Sequence, residues 1–168
     1  MGDRKVLILD VDETLLNMEP LFFLKKFKKN YKQYGGRLIF DKYYLSPRPK
    51  VSEFIKIAKK HFKLVAFSVA GREVTAEKLK AIGILKDFIK IYGKEDLYNG
   101  EKSLKKIADD LNISVDKIIA IDDVPESFLE QDNVVKIDPW FIGNNKEDDS
   151  LLTVFEDVLK LNSTNISP

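Results

Sequence analysis

The 168-residue chain has no cysteine, one histidine, one tryptophan and two methionines. Without cysteine there are no disulfides, no thiol nucleophile and no thiolate-bound zinc, and an interior that needs no oxidised staples suits a reducing compartment. With one histidine, His61, a histidine-rich metal site is excluded. No apolar run reaches membrane-spanning length, and the first hydrophobic stretch begins too near Met1 for a secretory leader, so a cytoplasmic location is expected. Excess charge of one sign is also missing. A formal net charge of +1 gives no bulk attraction to nucleic acid or membrane.

What is present is an ordinary soluble composition, 44% hydrophobic and 33% charged, of a length that suits one domain. The chain is organised around Val6-Leu7-Ile8-Leu9-Asp10-Val11-Asp12-Glu13-Thr14-Leu15, where an aliphatic run ends abruptly in acids. This reads as a buried strand carrying carboxylates to one end of a sheet. Side chains alternate along a strand, so Asp10 and Asp12 can face one small space. Carboxylates that close together call for a hard divalent cation between them, and magnesium is the ion expected.

Further along, Pro20–Tyr34 repeats Leu24, Phe27, Tyr31 and Tyr34 at helical spacing, with Lys25, Lys26, Lys28, Lys29 and Lys32 on its other faces. One or two short strands are expected from Arg37 to Leu45, a helix from Val51 to Phe62, and a strand from Lys63 to Ser68. A helix over 74–82, a strand over 88–92 and a helix from Lys102 to Leu111 come next. Lys117–Ile121 reads as a strand running into Asp122-Asp123, Val134–Ile137 as the last strand, Asp148–Leu161 as a closing helix, and 162–168 as a flexible tail. This alternation predicts a Rossmann-like α/β fold, a parallel sheet with helices on both faces and a small helix-plus-hairpin insert at 17–45 within one domain. Asp10, Ser68 and Asp122 fall at strand ends, where such sheets bind ligands. Adjacent acids at the end of a buried strand again point to a cation.

Together these segments resemble the haloacid dehalogenase superfamily, and within it the small carboxy-terminal-domain (CTD) phosphatases and their NLI-interacting-factor-like relatives. The resemblance runs from Val6 to about Lys160. It rests on Asp10-Val11-Asp12-Glu13-Thr14-Leu15, Arg48-Pro49-Lys50-Val51-Ser52-Glu53-Phe54-Ile55, Phe67-Ser68-Val69-Ala70, Lys102-Ser103-Leu104-Lys105-Lys106-Ile107, Ile119-Ala120-Ile121-Asp122-Asp123-Val124-Pro125 and Trp140-Phe141, in that order. It implies a magnesium-dependent phosphatase acting on a phosphorylated partner, protein or small molecule. A carboxylate such as Asp10, ionised at neutral pH, can attack phosphorus without a base to activate it, giving an aspartyl-phosphate. The resemblance makes Asp12 the general acid and base, and gives Ser68, the backbone around Val69 and Lys102 to the phosphoryl oxygens. It gives the cation to Asp10, the Asp12 carbonyl and Asp122 or Asp123.

Several alternatives stay open from sequence. Lys105 competes with Lys102 if the helix begins later, and Asp122 competes with Asp123 because the fourth motif reads Asp-Asp-Val-Pro where these phosphatases often have Asp-Asn-Ser-Pro. The substrate can be a phosphoserine or phosphothreonine of a protein, a small metabolite, a nucleotide or a nucleic-acid end. A non-catalytic module that binds phosphorylated ligands is a further reading. His61 and Trp140 are read as structural, and the insert as a small cap or as a plain surface helix.

Overall fold

A computed structural model describes residues 5–28 and 30–164 of the chain. Lys29 and the last four residues of the expected tail lie outside the described residues. Five parallel strands form the main sheet: β1 (Val6–Leu9), β5 (Lys63–Phe67), β6 (Phe88–Tyr92), β7 (Ile118–Asp122) and β8 (Val134–Lys136). Their order is β6-β5-β1-β7-β8, with the first strand in the centre. Three antiparallel strands, β2 (Leu16–Pro20), β3 (Arg37–Ile39) and β4 (Tyr43–Pro47), make a second small sheet in the order β2-β4-β3.

Strand alternation sorts the core into two layers. Leu7 and Leu9 of β1 face one cluster, which includes Phe54, Ile55 and Ala58 of α2 (Val51–His61) and Leu79 of α3 (Arg72–Ala81). The same cluster takes in Leu151, Phe155 and Val158 of the closing helix, α5 (Ser150–Thr164). Val6 and Ile8 face the other layer, with Val65, Phe67, Phe128 and the residues Leu104, Ile107 and Ala108 of α4 (Leu104–Leu111). A side chain two residues past Ile8 therefore points toward the α4 side. That side chain is Asp10.

Strand register levels the functional ends. Leu9 is paired with Ala66 of β5 on one side and Ile121 of β7 on the other. Asp10, Phe67 and Asp122 therefore stand side by side, and the Asp10 N–H reaches the Ile121 carbonyl at 3.0 Å.

Where the structure departs from the sequence reading, tertiary contacts are the reason. The helix expected over Pro20–Tyr34 is two pieces, α1 (Leu21–Phe27) and a 3₁₀ turn at Tyr31–Tyr34. Between them Lys28 adopts φ −129° and its ammonium reaches the Ile142 carbonyl at 2.5 Å, while Tyr31 meets Tyr44 edge-on at 4.8 Å. Apolar spacing alone cannot show that break. Strand β2 is not among the expected strands: Leu16-Asn17-Met18-Glu19 alternates apolar and polar residues, but the run is short and ends in proline, and it becomes a strand by pairing with β4.

Helix α4 begins at Leu104, two residues later than expected, because Ser103 caps it by accepting the Lys106 N–H at 3.2 Å. Lys102 thus precedes the helix. Helix α5 continues through Asn162 to Thr164 instead of stopping at Leu161. No helix among the described residues is long and apolar enough to cross a membrane.

Candidate active site

The crevice is built from the ends of β1, β5 and β7 and the segment before α4. Asp10 is 6% exposed and Asp122 is 2% exposed. The Lys102 ammonium, also buried, lies 2.6 Å from Asp10 Oδ1 and 2.6 Å from Asp122 Oδ2. The rings of Phe67 and Phe128 flank it at 5.6 and 5.2 Å, and backbone bonds from Lys102 to Ser127 and Leu129 fix its segment. In so apolar a setting charge–charge interaction is strong.

Burial pushes the Asp10 carboxyl up to about 7, an effect that Lys102 opposes and Asp122 reinforces. Burial also works against the Lys102 ammonium, but its two carboxylate neighbours outweigh that and hold its pKa above the ordinary lysine value. Asp123 is pushed up by burial and by Asp122. Its Oδ1 accepts the Thr14 hydroxyl at 3.2 Å, a bond from the loop after β1 to the loop after β7.

Carboxylate oxygens of Asp10, Asp122 and Asp123 lie within 4.8 Å of one another. Three carboxylates share one ammonium, so two formal negative charges are left to balance, and every donor is a hard oxygen. That donor set fits magnesium. Both Asp122 and Asp123 belong to it.

Asp12 is held apart from this cluster. Its Oδ1 lies 2.5 Å from the Lys78 ammonium, and its Oδ2 accepts the Ser68 hydroxyl at 3.1 Å. Ser68 Oγ in turn accepts the Ala70 N–H at 3.0 Å. The Ser68 proton is therefore directed at Asp12, while Val69, one residue on, stands 58% exposed at the crevice rim. Lys105 is exposed on α4; of the two lysines left open by sequence, Lys102 is the one at Asp10.

The loop carrying these acids is clamped from below. Glu13 takes the left-handed backbone conformation (φ 58°), its carbonyl accepts the Trp140 N–H at 2.8 Å, and Arg48 donates to the Thr14 carbonyl at 3.3 Å. Arg48 is 3% exposed and its Nε lies 2.5 Å from Asp148.

The sequence matches the NLI interacting factor-like phosphatase family over residues 5–166. The chain belongs to that family. Membership assigns it to the phosphoric monoester hydrolases. It is 28% identical over 179 residues to a CTD phosphatase-like protein, 355R, of Invertebrate iridescent virus 3, covering 90% of this chain and 93% of that one. The structure of Fcp1, an RNA polymerase II CTD phosphatase, is similar with a TM-score of 0.70 at 19% identity. That similarity covers 96% of this chain and 50% of that one, so this chain spans about half of Fcp1's length. A haloacid dehalogenase-like hydrolase of Xanthomonas campestris has a TM-score of 0.64 at 10% identity, over 97% and 98% of the two chains. The fold of this family member is therefore that of the haloacid dehalogenase superfamily.

Three residues around the site carried no assigned role in the sequence reading. Lys78 had one signal, its place with Thr75 and Leu79 on the buried stripe of α3. Arg48 stood in a recognised motif, but its partner Asp148 is 100 residues away. Thr14 lies inside the first motif, and only the fold brings it to Asp123. Trp140, read as packing, is 2% exposed, and His61 lies edge-on to Phe155 at 6.0 Å, away from the crevice.

Proposed function

We propose that the protein is a magnesium-dependent phosphatase that forms an aspartyl-phosphate on Asp10 and acts on phosphoserine or phosphothreonine in a protein. The observation that carries this reading is the buried Asp10–Lys102–Asp122 arrangement, with Asp123 beside it and Asp12 held separately. Lys102 ties down Asp10 Oδ1, so attack on phosphorus falls to the other carboxylate oxygen. As that O–P bond forms, the bond from phosphorus to the substrate oxygen breaks, and Asp12 gives the departing oxygen a proton. Asp12 then takes a proton from water, whose oxygen attacks phosphorus, frees Asp10 and releases inorganic phosphate.

Lys102 and the amides around Val69 supply positive potential to the phosphoryl oxygens throughout. Magnesium, held by Asp10, Asp122, Asp123 and the Asp12 carbonyl, supplies further charge neutralisation there. A protein substrate is supported by two similar proteins, 355R and Fcp1, described as a CTD phosphatase-like protein and a CTD phosphatase.

The test is a turnover screen of phosphopeptides, nucleotides and sugar phosphates with and without a magnesium chelator. Phosphopeptide preference with chelator sensitivity is expected. Faster turnover of a nucleotide or sugar phosphate would replace the substrate class, and tight phospholigand binding without turnover would make this a binding module.

Asp12→Asn is expected to lower turnover of alkyl phosphates by about 10²–10³-fold and of an aryl phosphate with a good leaving group much less. An equal loss across leaving groups would remove Asp12 from the acid role.

The insert at 17–45 is read as a cap that draws in the anionic substrate. Lys28 is committed to Glu19 and Ile142, whereas Lys25 and Lys26 are exposed on α1 with Phe22, which is 73% exposed, and Lys32 is exposed on the 3₁₀ turn that follows. Changing Lys25, Lys26 and Lys32 together to Gln is expected to raise KM for a phosphopeptide several-fold at low salt and flatten its dependence on ionic strength. Unchanged KM and salt dependence would leave these lysines as solvated surface.

A further inference from the structure

Lys78 is a lysine in a place where lysine is expensive. It sits on α3 between Thr75 and Leu79, with only 4% of its side chain exposed, and its ammonium meets Asp12 Oδ1 at 2.5 Å. Burying an ammonium is unfavourable unless a carboxylate answers it, so this contact holds both partners in place. The other Asp12 oxygen is held by Ser68, which is itself fixed by the Ala70 N–H. All three anchors belong to the β5–α3 unit. The start of α3 is pinned in turn by Arg72, which forks onto Asp96, with Nε at 2.7 Å from the carboxylate, and by Thr75 Oγ donating to the Gly71 carbonyl.

The two aspartates of the first motif therefore have separate lysines, Lys102 for Asp10 and Lys78 for Asp12. Asp12 is two residues from Asp10 on a loop whose neighbouring carboxylates form the cation cluster, and a free Asp12 side chain would be drawn to the same cation. Lys78 engages one of its oxygens and Ser68 the other, which turns the carboxylate to the β5–α3 side and leaves a second lone pair on the Ser68-bonded oxygen for the proton of the acid role. We infer that Lys78 is a positioning residue that holds the Asp12 carboxylate out of the cation cluster and toward the departing oxygen of the substrate. The inference rests on Asp12 being the general acid. Lys78 meets Asp12, whereas the ammonium at Asp10 and Asp122 is that of Lys102.

The experiment compares Lys78→Met, Lys78→Arg, Asp12→Asn and the Asp12→Asn/Lys78→Met double variant on phosphate esters of graded leaving-group basicity. Lys78→Met is expected to slow alkyl phosphates by about 10²-fold and a good aryl leaving group by much less. Lys78→Arg is expected to recover a large part of the alkyl activity, and the double variant to be no slower than Asp12→Asn, because Lys78 acts through Asp12. Thermal unfolding of each variant gives the fraction folded at the assay temperature. Should Lys78→Met not fold, Lys78→Gln carries the same comparison.

A loss from Lys78→Met that is equal for all leaving groups, beside a leaving-group-dependent loss from Asp12→Asn, would overturn the role of Lys78 alone. Losses that multiply in the double variant would do the same. A leaving-group-independent loss from Asp12→Asn would overturn the acid role and this inference together.

Discussion

Asp10→Asn is expected to abolish turnover, by about 10⁴-fold or more, while leaving the fold intact. Asparagine keeps the shape of the side chain and can still accept from Lys102 at 2.6 Å, but it has no anionic oxygen to attack phosphorus. Stability should move the other way. Burial pushes the Asp10 carboxyl up to about 7, so the ionised form works against the folded state at any pH above its unfolded value. Removing that charge is therefore expected to hold or raise the melting temperature in chelator-containing buffer. Paired measurements of phosphate release and thermal unfolding check both parts. Appreciable residual turnover would mean that water attacks phosphorus directly and that no aspartyl-phosphate forms.

Lys102→Ala is expected to damage both activity and stability. The ammonium stands between two buried carboxylates, and taking it away leaves Asp10 and Asp122 facing each other with no counter-charge. Breaking a buried ion pair from one side costs about 3–5 kcal/mol, and the carboxylates here are two. The melting temperature should fall steeply and recover in part when millimolar magnesium is added, because a cation at the same oxygens replaces the missing charge. Lys105→Ala, one helical turn away and exposed, should change neither quantity measurably. A large effect at Lys105 with none at Lys102 would move the phosphate-binding lysine by that turn.

The sheet and the convergence of Asp10, Ser68 and Asp122 are legible in the sequence because each hydrophobic run stops abruptly at a polar residue, and in a parallel sheet such stops share one edge. What the pattern cannot carry is anything set by contacts between distant segments. Leu24, Phe27, Tyr31 and Tyr34 satisfy helical spacing over their whole length, yet Tyr31 leaves the helix to meet Tyr44. Lys102 and Lys105 are equivalent by helical period, and only the Ser103 cap separates them. Lys78 shares the buried stripe of α3 with Thr75 and Leu79, but helical spacing does not show which carboxylate answers a lysine there. Its burial depends on β1 delivering Asp12 to a spot 66 residues distant in sequence.

The clamp under the first motif also has a place in time. Asp10 to Thr14 are made before any of the residues that clamp them. Arg48 and Trp140, which fix the carbonyls of Thr14 and Glu13, and Asp148, which holds Arg48, are made later, and Asp148 is the last of them. The gap from Thr14 to Asp148 corresponds to roughly ten seconds of synthesis at ordinary elongation rates. During that interval the acids exist without the geometry that makes them a site. A chain released before Asp148 carries the whole first motif and Lys102, but leaves the Arg48 guanidinium without its carboxylate. Such incomplete products are expected to be inactive, so that the chemistry waits for Asp148.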